Sequence, residues 1–129
     1  MSDDLYRETI VTEARHPQNY GPLEGADINQ SYVNPSCGDS INVYVKLDSA
    51  KKKIIDLGWE GNGCVVSMAS MSFLSAKVKG MSLEEVNQLT SDDLQRILGV
   101  EEITPSREKC MMMGLMAIQK AVSVDSSVK

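Results

Sequence analysis

The chain has 129 residues, of which 42% are hydrophobic and 24% charged, with a formal net charge of −5. This length predicts one domain over residues 1–129, because an ordinary domain takes on the order of 100–150 residues. The acidic balance argues against nucleic-acid binding, which needs clustered Lys and Arg, and no apolar run approaches the ~20 residues of a membrane span.

The first predicted element is a helix of about four turns, with Tyr6, Ile10 and Ala14 on one face. His16-Pro17 ends this helix, since proline disfavours helical backbone in the residue before it. Residues 27–33 form a candidate strand that leads towards Cys37.

An antiparallel hairpin is predicted next. Alternating apolar residues identify its two strands: Ile41, Val43, Val45 and Leu47 in the first, and Ile55, Leu57 and Trp59 in the second. The polar segment 48–53 forms the turn between them. Cys37 precedes the first strand and Cys64 follows the second, so antiparallel pairing is expected to bring these two cysteines to the same edge.

Helices are predicted for the second half of the chain. The first begins at or just after Cys64 and carries a buried stripe: Val65, Met68, Ala69, Ser72, Phe73 and Ala76. Ser82 begins a capping box for a short helix, and Ser91 caps another helix that Gly99 ends.

The last helix begins at residues 105–106 and buries Met111, Leu115, Ile118 and Val122, while a polar tail from about residue 123 is expected to fray. Small residues on the face of Cys110 favour close approach of another backbone: Gly114, Ala117 and Ala121. The expected fold is α+β, a small antiparallel sheet of about three strands packed on one side by about four to five helices.

Cys37, Cys64 and Cys110 each lie beside glycine, a helix start or a charged residue instead of inside an apolar run. These surroundings stabilise the thiolate, which is the form that binds metals and acts as a nucleophile. Asp39 follows Cys37 after one glycine, and this spacing lets both side chains face one ion. The alternative is that the thiols are small buried apolar groups.

Three thiolates and one carboxylate oxygen suit zinc or one edge of an iron–sulfur cluster, and ligand type alone leaves both open. A permanent iron–sulfur site normally uses four cysteines, so this set is expected to hold its cluster less tightly, as delivery requires. An odd cysteine count without paired C-x-x-C motifs and an acidic N-terminus favour a cytoplasmic protein with reduced thiols.

Lys109 and Arg107 are auxiliary candidates at this site. Lys109 is interpreted either as a deprotonated ligand or as an ammonium that stabilises the Cys110 thiolate or pairs with Asp39. Arg107 has the same second role or is an exposed residue at a helix start. His16 and the methionines of residues 111–116 are interpreted as structural.

Three motifs together resemble a known family. Asn34-Pro35-x-Cys37-Gly38-Asp39, Gly61-x-Gly63-Cys64 and Arg107-x-Lys109-Cys110 resemble, in order and spacing, the IscU, SufU and NifU N-terminal scaffolds for iron–sulfur cluster assembly. His16-Pro17-x-Asn19-x-Gly21 is similar to the segment after that family's first helix, so the resemblance extends along nearly the whole chain.

The resemblance implies that Cys37, Cys64 and Cys110 hold a nascent 2Fe-2S cluster, or zinc in the cluster-free form, and that Asp39 tunes its lability. It implies iron as a substrate, a cysteine desulfurase as sulfur donor and acceptor apoproteins as recipients. One of the three cysteines accepts the persulfide, and relatives differ in which one.

On this interpretation the chain is a scaffold and not an enzyme. The alternative is a zinc-bound sulfur-transfer protein that accepts persulfide from a desulfurase and builds no cluster. A third hypothesis is a small structural zinc module that serves as a binding platform.

Two departures from the family pattern concern subtype. IscU-type members have histidine where this chain has Lys109. They also carry a chaperone-binding Leu-Pro-Pro-Val-Lys stretch where this chain has residues 104–109. The difference in this stretch argues against handling by a dedicated chaperone. SufU-type members carry an insertion between the second and third cysteines that the spacing here is too short to contain. The subtype and a homodimer that shares the cluster are left open.

Overall fold

The computed structural model describes residues 3–34, 38–99 and 105–128. In chain order the elements are α1 (Asp3–Arg15), β1 (Ile28–Val33), β2 (Ser40–Leu47), β3 (Ile54–Asn62), α2 (Val65–Lys77), α3 (Leu83–Asn87), α4 (Ser91–Leu98) and α5 (Pro105–Val128). The three strands form one antiparallel sheet in the order β1-β2-β3. Within the described residues this is the expected α+β fold, with three strands and five helices.

The helices pack on the apolar face of the sheet. α5 contacts β1 and β2, while α2 contacts β3 and lies between α1 and α5. The alternating residues of β2 are buried as predicted: Ile41, Val43, Val45 and Leu47. No helix in the described part of the chain is long and apolar enough to cross a membrane.

The register between β2 and β3 shifts near the hairpin turn. Lys46 pairs with Asp56, but Leu47 pairs with Ile54, so Ile55 is an extra residue on β3. Ile54 is buried and Ile55 is 50% exposed. The prediction that Ile55 lies on the buried face was wrong, because one inserted residue moves the alternation to the other face.

α2 is buried on more sides than an amphipathic stripe predicts. Val65 and Ala76, two residues of the predicted stripe, are exposed. Ser72 is buried as predicted, and three serines outside the predicted stripe are buried as well: Ser67, Ser70 and Ser75. Each has a hydrogen-bond partner, as when Ser70 Oγ donates to the Met111 carbonyl of α5 at 2.7 Å. The additional buried serines were not predicted because a serine counts as polar, although a satisfied hydroxyl packs well in a core.

The segment that follows α1 is held against α2 and β3. The Gln18 N–H donates to Ser72 Oγ at 2.7 Å, and the Gln18 carbonyl accepts the indole N–H of Trp59 at 2.9 Å. Asn19 has a left-handed backbone, with φ of 61°, and its amide donates to Ser75 Oγ at 3.0 Å. These contacts give the motif of residues 16–21 a structural role.

The caps of the two short helices agree with the sequence except at one residue. Ser82 forms the predicted capping box with Glu85, and Gly99 ends α4 in the left-handed conformation. The N-cap of α4 is Thr90 and not Ser91: the Thr90 N–H donates to the Asp93 carboxylate at 2.9 Å. Both residue types cap well, so the sequence alone does not choose between neighbours.

α5 packs closely against α2 through its small residues, as predicted. A Cβ built on Gly114 would lie 2.7 Å from Met71 Sδ and 3.2 Å from Met71 Cα. Ala117 and Ala121 are fully buried. The helix continues to Val128, past the start of the predicted polar tail, and the fraying of that tail stays a prediction.

Candidate metal centre

One edge of the sheet and two helix starts bring Asp39, Cys64 and Cys110 together. Ser40 pairs with Asn62 at the end of the β2–β3 ladder, so the residues just before β2 and just after β3 are neighbours. Asp39 precedes β2, Cys64 precedes α2, and Cys110 lies in the second turn of α5. A carboxylate oxygen of Asp39 and the two sulfur atoms all lie within 4.8 Å of one another.

The remaining predicted site residues fall partly outside what the structure describes. Cys37 and the side chain of Arg107 lie outside the described residues. Lys109 is exposed, and the ion pairs among the described side chains, Lys79–Asp56 and Arg96–Asp93, do not include it. The ligand roles of all these residues stay predictions.

Backbone hydrogen bonds between Asn34 and the segment of residues 38–39 position Asp39. The Gly38 N–H donates to the Asn34 carbonyl, and the Asn34 N–H donates to the Asp39 carbonyl, each at 2.8 Å. Gly38 has φ of 76°, a left-handed conformation that glycine adopts without steric penalty. Gly38 thus has the backbone conformation that favours glycine, while the orientation of Cys37 relative to Asp39 stays a prediction because Cys37 lies outside the described residues.

The Asp39 carboxylate lies at the N-terminus of α2. Its Oδ2 accepts the backbone N–H of Cys64 at 3.3 Å and the Ser67 hydroxyl at 3.5 Å. A Cβ on Gly63 would lie 3.2 Å from this oxygen and 2.9 Å from Ser67 Cβ, so glycine is needed for this approach. A negative charge here also interacts favourably with the helix dipole.

Cys64 is the N-cap of α2, which confirms that this helix starts at the thiol. Its sulfur accepts the Ser67 N–H at 3.4 Å and lies 3.4 Å from the Ser67 hydroxyl. Burial raises the pKa of Cys64, but hydrogen bonds from the Ser67 hydroxyl and N–H and from the Cys110 side chain outweigh it, and the pKa is lowered. Cys64, an exposed residue, is thus biased towards thiolate.

Ser67 is a functional candidate that the sequence analysis missed. Its side chain is fully buried, and its hydroxyl lies near both Asp39 and Cys64. Its position in the sequence could have identified it, because it lies three residues after an N-cap, where the backbone N–H donates to the capping side chain. It was missed because it lies outside the buried stripe that was predicted for α2.

The three described ligand atoms fit a metal site. Ligand atoms around a tetrahedral zinc lie on the order of 3.5–4 Å apart. The three ligand atoms here lie within 4.8 Å of one another, so small side-chain rotations bring them to the distances that zinc requires. Two soft sulfurs and one hard oxygen accept zinc or iron. The site is accessible, since Cys64 is exposed and Asp39 and Cys110 are half-buried.

Comparison with known proteins gives consistent matches along the chain. The family model of the NifU-like N terminal domain matches residues 5–126. The zinc-dependent sulfurtransferase SufU of Bacillus subtilis is 32% identical, over 94% of this chain and 91% of that protein. The iron-sulfur cluster assembly scaffold protein IscU of Streptococcus pyogenes serotype M1 is also 32% identical, over 92% of this chain and 82% of that protein.

A solved structure shows the same fold. The N-terminal part of a nitrogen-fixing NifU-like protein from Brucella abortus superposes with a TM-score of 0.79, covering 98% of both chains at 17% identity. The two chains therefore share the same overall fold.

Proposed function

Because the chain belongs to the NifU-like N terminal domain family, we propose that it is a scaffold on which an iron–sulfur cluster is assembled and from which the cluster passes to acceptor apoproteins. The observation that carries this proposal is the approach of Asp39, Cys64 and Cys110 within 4.8 Å at an accessible edge. The similarity to a scaffold protein at 32% identity over 92% of the chain supports it.

The proposed cargo is a 2Fe-2S cluster held by Cys37, Cys64, Cys110 and Asp39. Such a cluster needs four protein ligands, and this set supplies three sulfurs and one oxygen. Because iron in a sulfide cluster prefers thiolate, a carboxylate in the fourth position weakens retention. Lys109 and Arg107 are assigned an auxiliary role, in which their positive charges offset the negative charges of the anionic ligands.

The substrates are iron and persulfide sulfur, with a cysteine desulfurase as the donor. Sulfur transfer between proteins requires an accessible thiolate, and Cys64 has both the exposure and the lowered pKa that this demands. The chain forms no product catalytically in this scheme, because each scaffold holds one cluster until an acceptor takes it. The reduced thiols suit a cytoplasmic protein.

The second candidate function is zinc-dependent sulfur transfer. It is favoured by the 32% identity to a protein named as a zinc-dependent sulfurtransferase over 94% of this chain. The same sulfurs and carboxylate would hold zinc, and one cysteine would accept persulfide without cluster formation. This function predicts a colourless protein with one tightly held zinc and a faster desulfurase.

The decisive test is anaerobic incubation of the full chain with ferrous iron, cysteine, a reducing thiol and a cysteine desulfurase. We expect iron and acid-labile sulfide in equal amounts, with charge-transfer bands in the visible spectrum. Cys64→Ser should lose the bands, whereas Asp92→Asn, at an exposed carboxylate of α4, should keep them. Retained zinc without colour, together with faster desulfurase turnover, would favour the sulfurtransferase instead.

A further inference from the structure

The two described cysteines are neighbours with unequal accessibility. Cys64 is exposed and Cys110 is half-buried. Their sulfurs belong to the same triangle of ligand atoms, and the Cys110 side chain hydrogen-bonds the Cys64 sulfur. A protein that delivers sulfur therefore reaches Cys64 first, while the Cys110 sulfur lies within 4.8 Å of the atom that has been modified.

This is the arrangement of an attacking thiol and a resolving thiol. We propose that Cys110 resolves a persulfide carried by Cys64, which releases the outer sulfur as hydrosulfide and leaves a Cys64–Cys110 disulfide. The inference rests on the proposed function, because the persulfide is that function's sulfur source. It assigns Cys110 a second role besides that of a ligand.

The step is a thiol–disulfide exchange that balances without another reagent. The Cys110 sulfur attacks Cys64 Sγ, and the bond between Sγ and the outer sulfur breaks with its electron pair on the outer sulfur. The Cys110 proton leaves with that sulfur as hydrosulfide. The outer sulfur is reduced to sulfide, and the Cys110 sulfur is oxidised by the same amount. A cellular dithiol then reduces the disulfide and restores both thiols.

The packing around the pair holds the two sulfurs within 4.8 Å of each other. A disulfide bond is about 2 Å long, so sulfurs that start within 4.8 Å must close the remaining gap. Cys64 lies outside the helical turn, with extended φ of −71° and ψ of 171°, and its side chain can rotate without unwinding α2. The bond from Ser70 to the Met111 carbonyl fixes α2 to α5 beside Cys110.

The third member of the triangle does not compete for this step. Asp39 contributes a carboxylate, which cannot form a disulfide with Cys64. Among the described ligand atoms, Cys110 Sγ is therefore the nucleophile within reach of a persulfide on Cys64. Cys37 lies outside the described residues, so the experiment includes a variant that removes it.

The test uses the full chain, stripped of metal with a chelator, treated with inorganic polysulfide and then desalted under argon. Sulfide release is followed with time, and mass spectrometry maps the persulfide and any disulfide. In the parent and in Cys37→Ser, we expect sulfide release to match formation of the Cys64–Cys110 disulfide. In Cys110→Ser the persulfide should persist, with release slowed by about tenfold or more, because a positioned thiol has a high effective concentration.

A second measurement needs no variant at Cys110. One equivalent of 5,5′-dithiobis(2-nitrobenzoate) added to Cys37→Ser should release two thionitrobenzoate anions, because Cys110 displaces the second one from Cys64. Release of one anion, or equally fast sulfide release from Cys110→Ser, would overturn the proposal.

The outcome is independent of cluster assembly, since neither iron nor a desulfurase is present. A persistent persulfide on a chain that still assembles clusters would refute the resolving role and leave the proposed function intact. Resolution on a chain that assembles no cluster would support the resolving role and refute the proposed function. Circular dichroism of each variant shows whether it remains folded.

Discussion

Ser67 lies between two candidate ligands of different kinds, the Cys64 sulfur and the Asp39 carboxylate. Its buried hydroxyl lies 3.4 Å from Cys64 Sγ and 3.5 Å from Asp39 Oδ2. Its backbone N–H also donates to the sulfur, and a substitution of the side chain leaves that contact in place. Ser67→Ala therefore isolates the contribution of the hydroxyl.

We predict that Ser67→Ala raises the pKa of Cys64 from its lowered position, because the hydroxyl is one of the hydrogen bonds that favour the thiolate. At neutral pH less thiolate is then present, so alkylation slows and its pH profile moves to higher pH. The measurement is the rate of iodoacetamide labelling of the Cys64 peptide against pH. Ser31→Ala, at an exposed position of β1, is the control, and an unchanged profile would contradict this role of Ser67.

Asp39 is predicted to control how readily the cluster leaves. In the proposed ligand set its oxygen is the exchangeable member, so Asp39→Ala should slow cluster release to an acceptor by about tenfold, the scale seen when groups around a metal are removed. The measurement is the rate at which apo-ferredoxin gains its visible spectrum. Asp92→Ala controls for loss of a carboxylate. Equally fast transfer from Asp39→Ala would disprove this role.

At the scale of elements, the contact between α2 and α5 sets the distance between Cys64 and Cys110. We predict that Gly114→Ala destabilises the fold by about 1–3 kcal/mol, because the new methyl group would overlap Met71, which is fully buried. Urea unfolding measures the change, with Met116→Ala, at a position of α5 that is 43% exposed, as the control. If Gly114→Ala lowers the free energy of unfolding no more than Met116→Ala does, the two helices are not in tight contact.

The elements also show which features of the fold could be predicted. The β2–β3 hairpin followed from its alternation, because one buried face requires that pattern. The bulge at Ile55 could not be predicted, because an extra residue does not change the residue types that identify a strand. Ser67, Ser70 and Ser75 of α2 were not predicted to be buried because their hydrogen-bond partners, such as the Met111 carbonyl that accepts from Ser70, belong to distant segments.

At the scale of the whole molecule, the candidate site depends on three distant segments. Antiparallel pairing predicted that the ends next to Asp39 and Cys64 meet. Cys110 joins them through packing of α5 on α2, which sequence spacing alone cannot reveal. The role of Cys37, the single-domain organisation and a cluster shared by a homodimer stay predictions.

The central claim is that the cluster is transient cargo, and transfer to an acceptor tests it most directly. The full chain, loaded anaerobically and separated from iron, sulfide and desulfurase, is mixed with apo-ferredoxin, and iron on both proteins is followed after rapid separation. We predict that ferredoxin gains a 2Fe-2S spectrum while the scaffold loses iron and sulfide in equal amounts, even with a chelator present to trap free iron. A cluster that stays on the chain, or that reaches ferredoxin only without the chelator, would contradict the account.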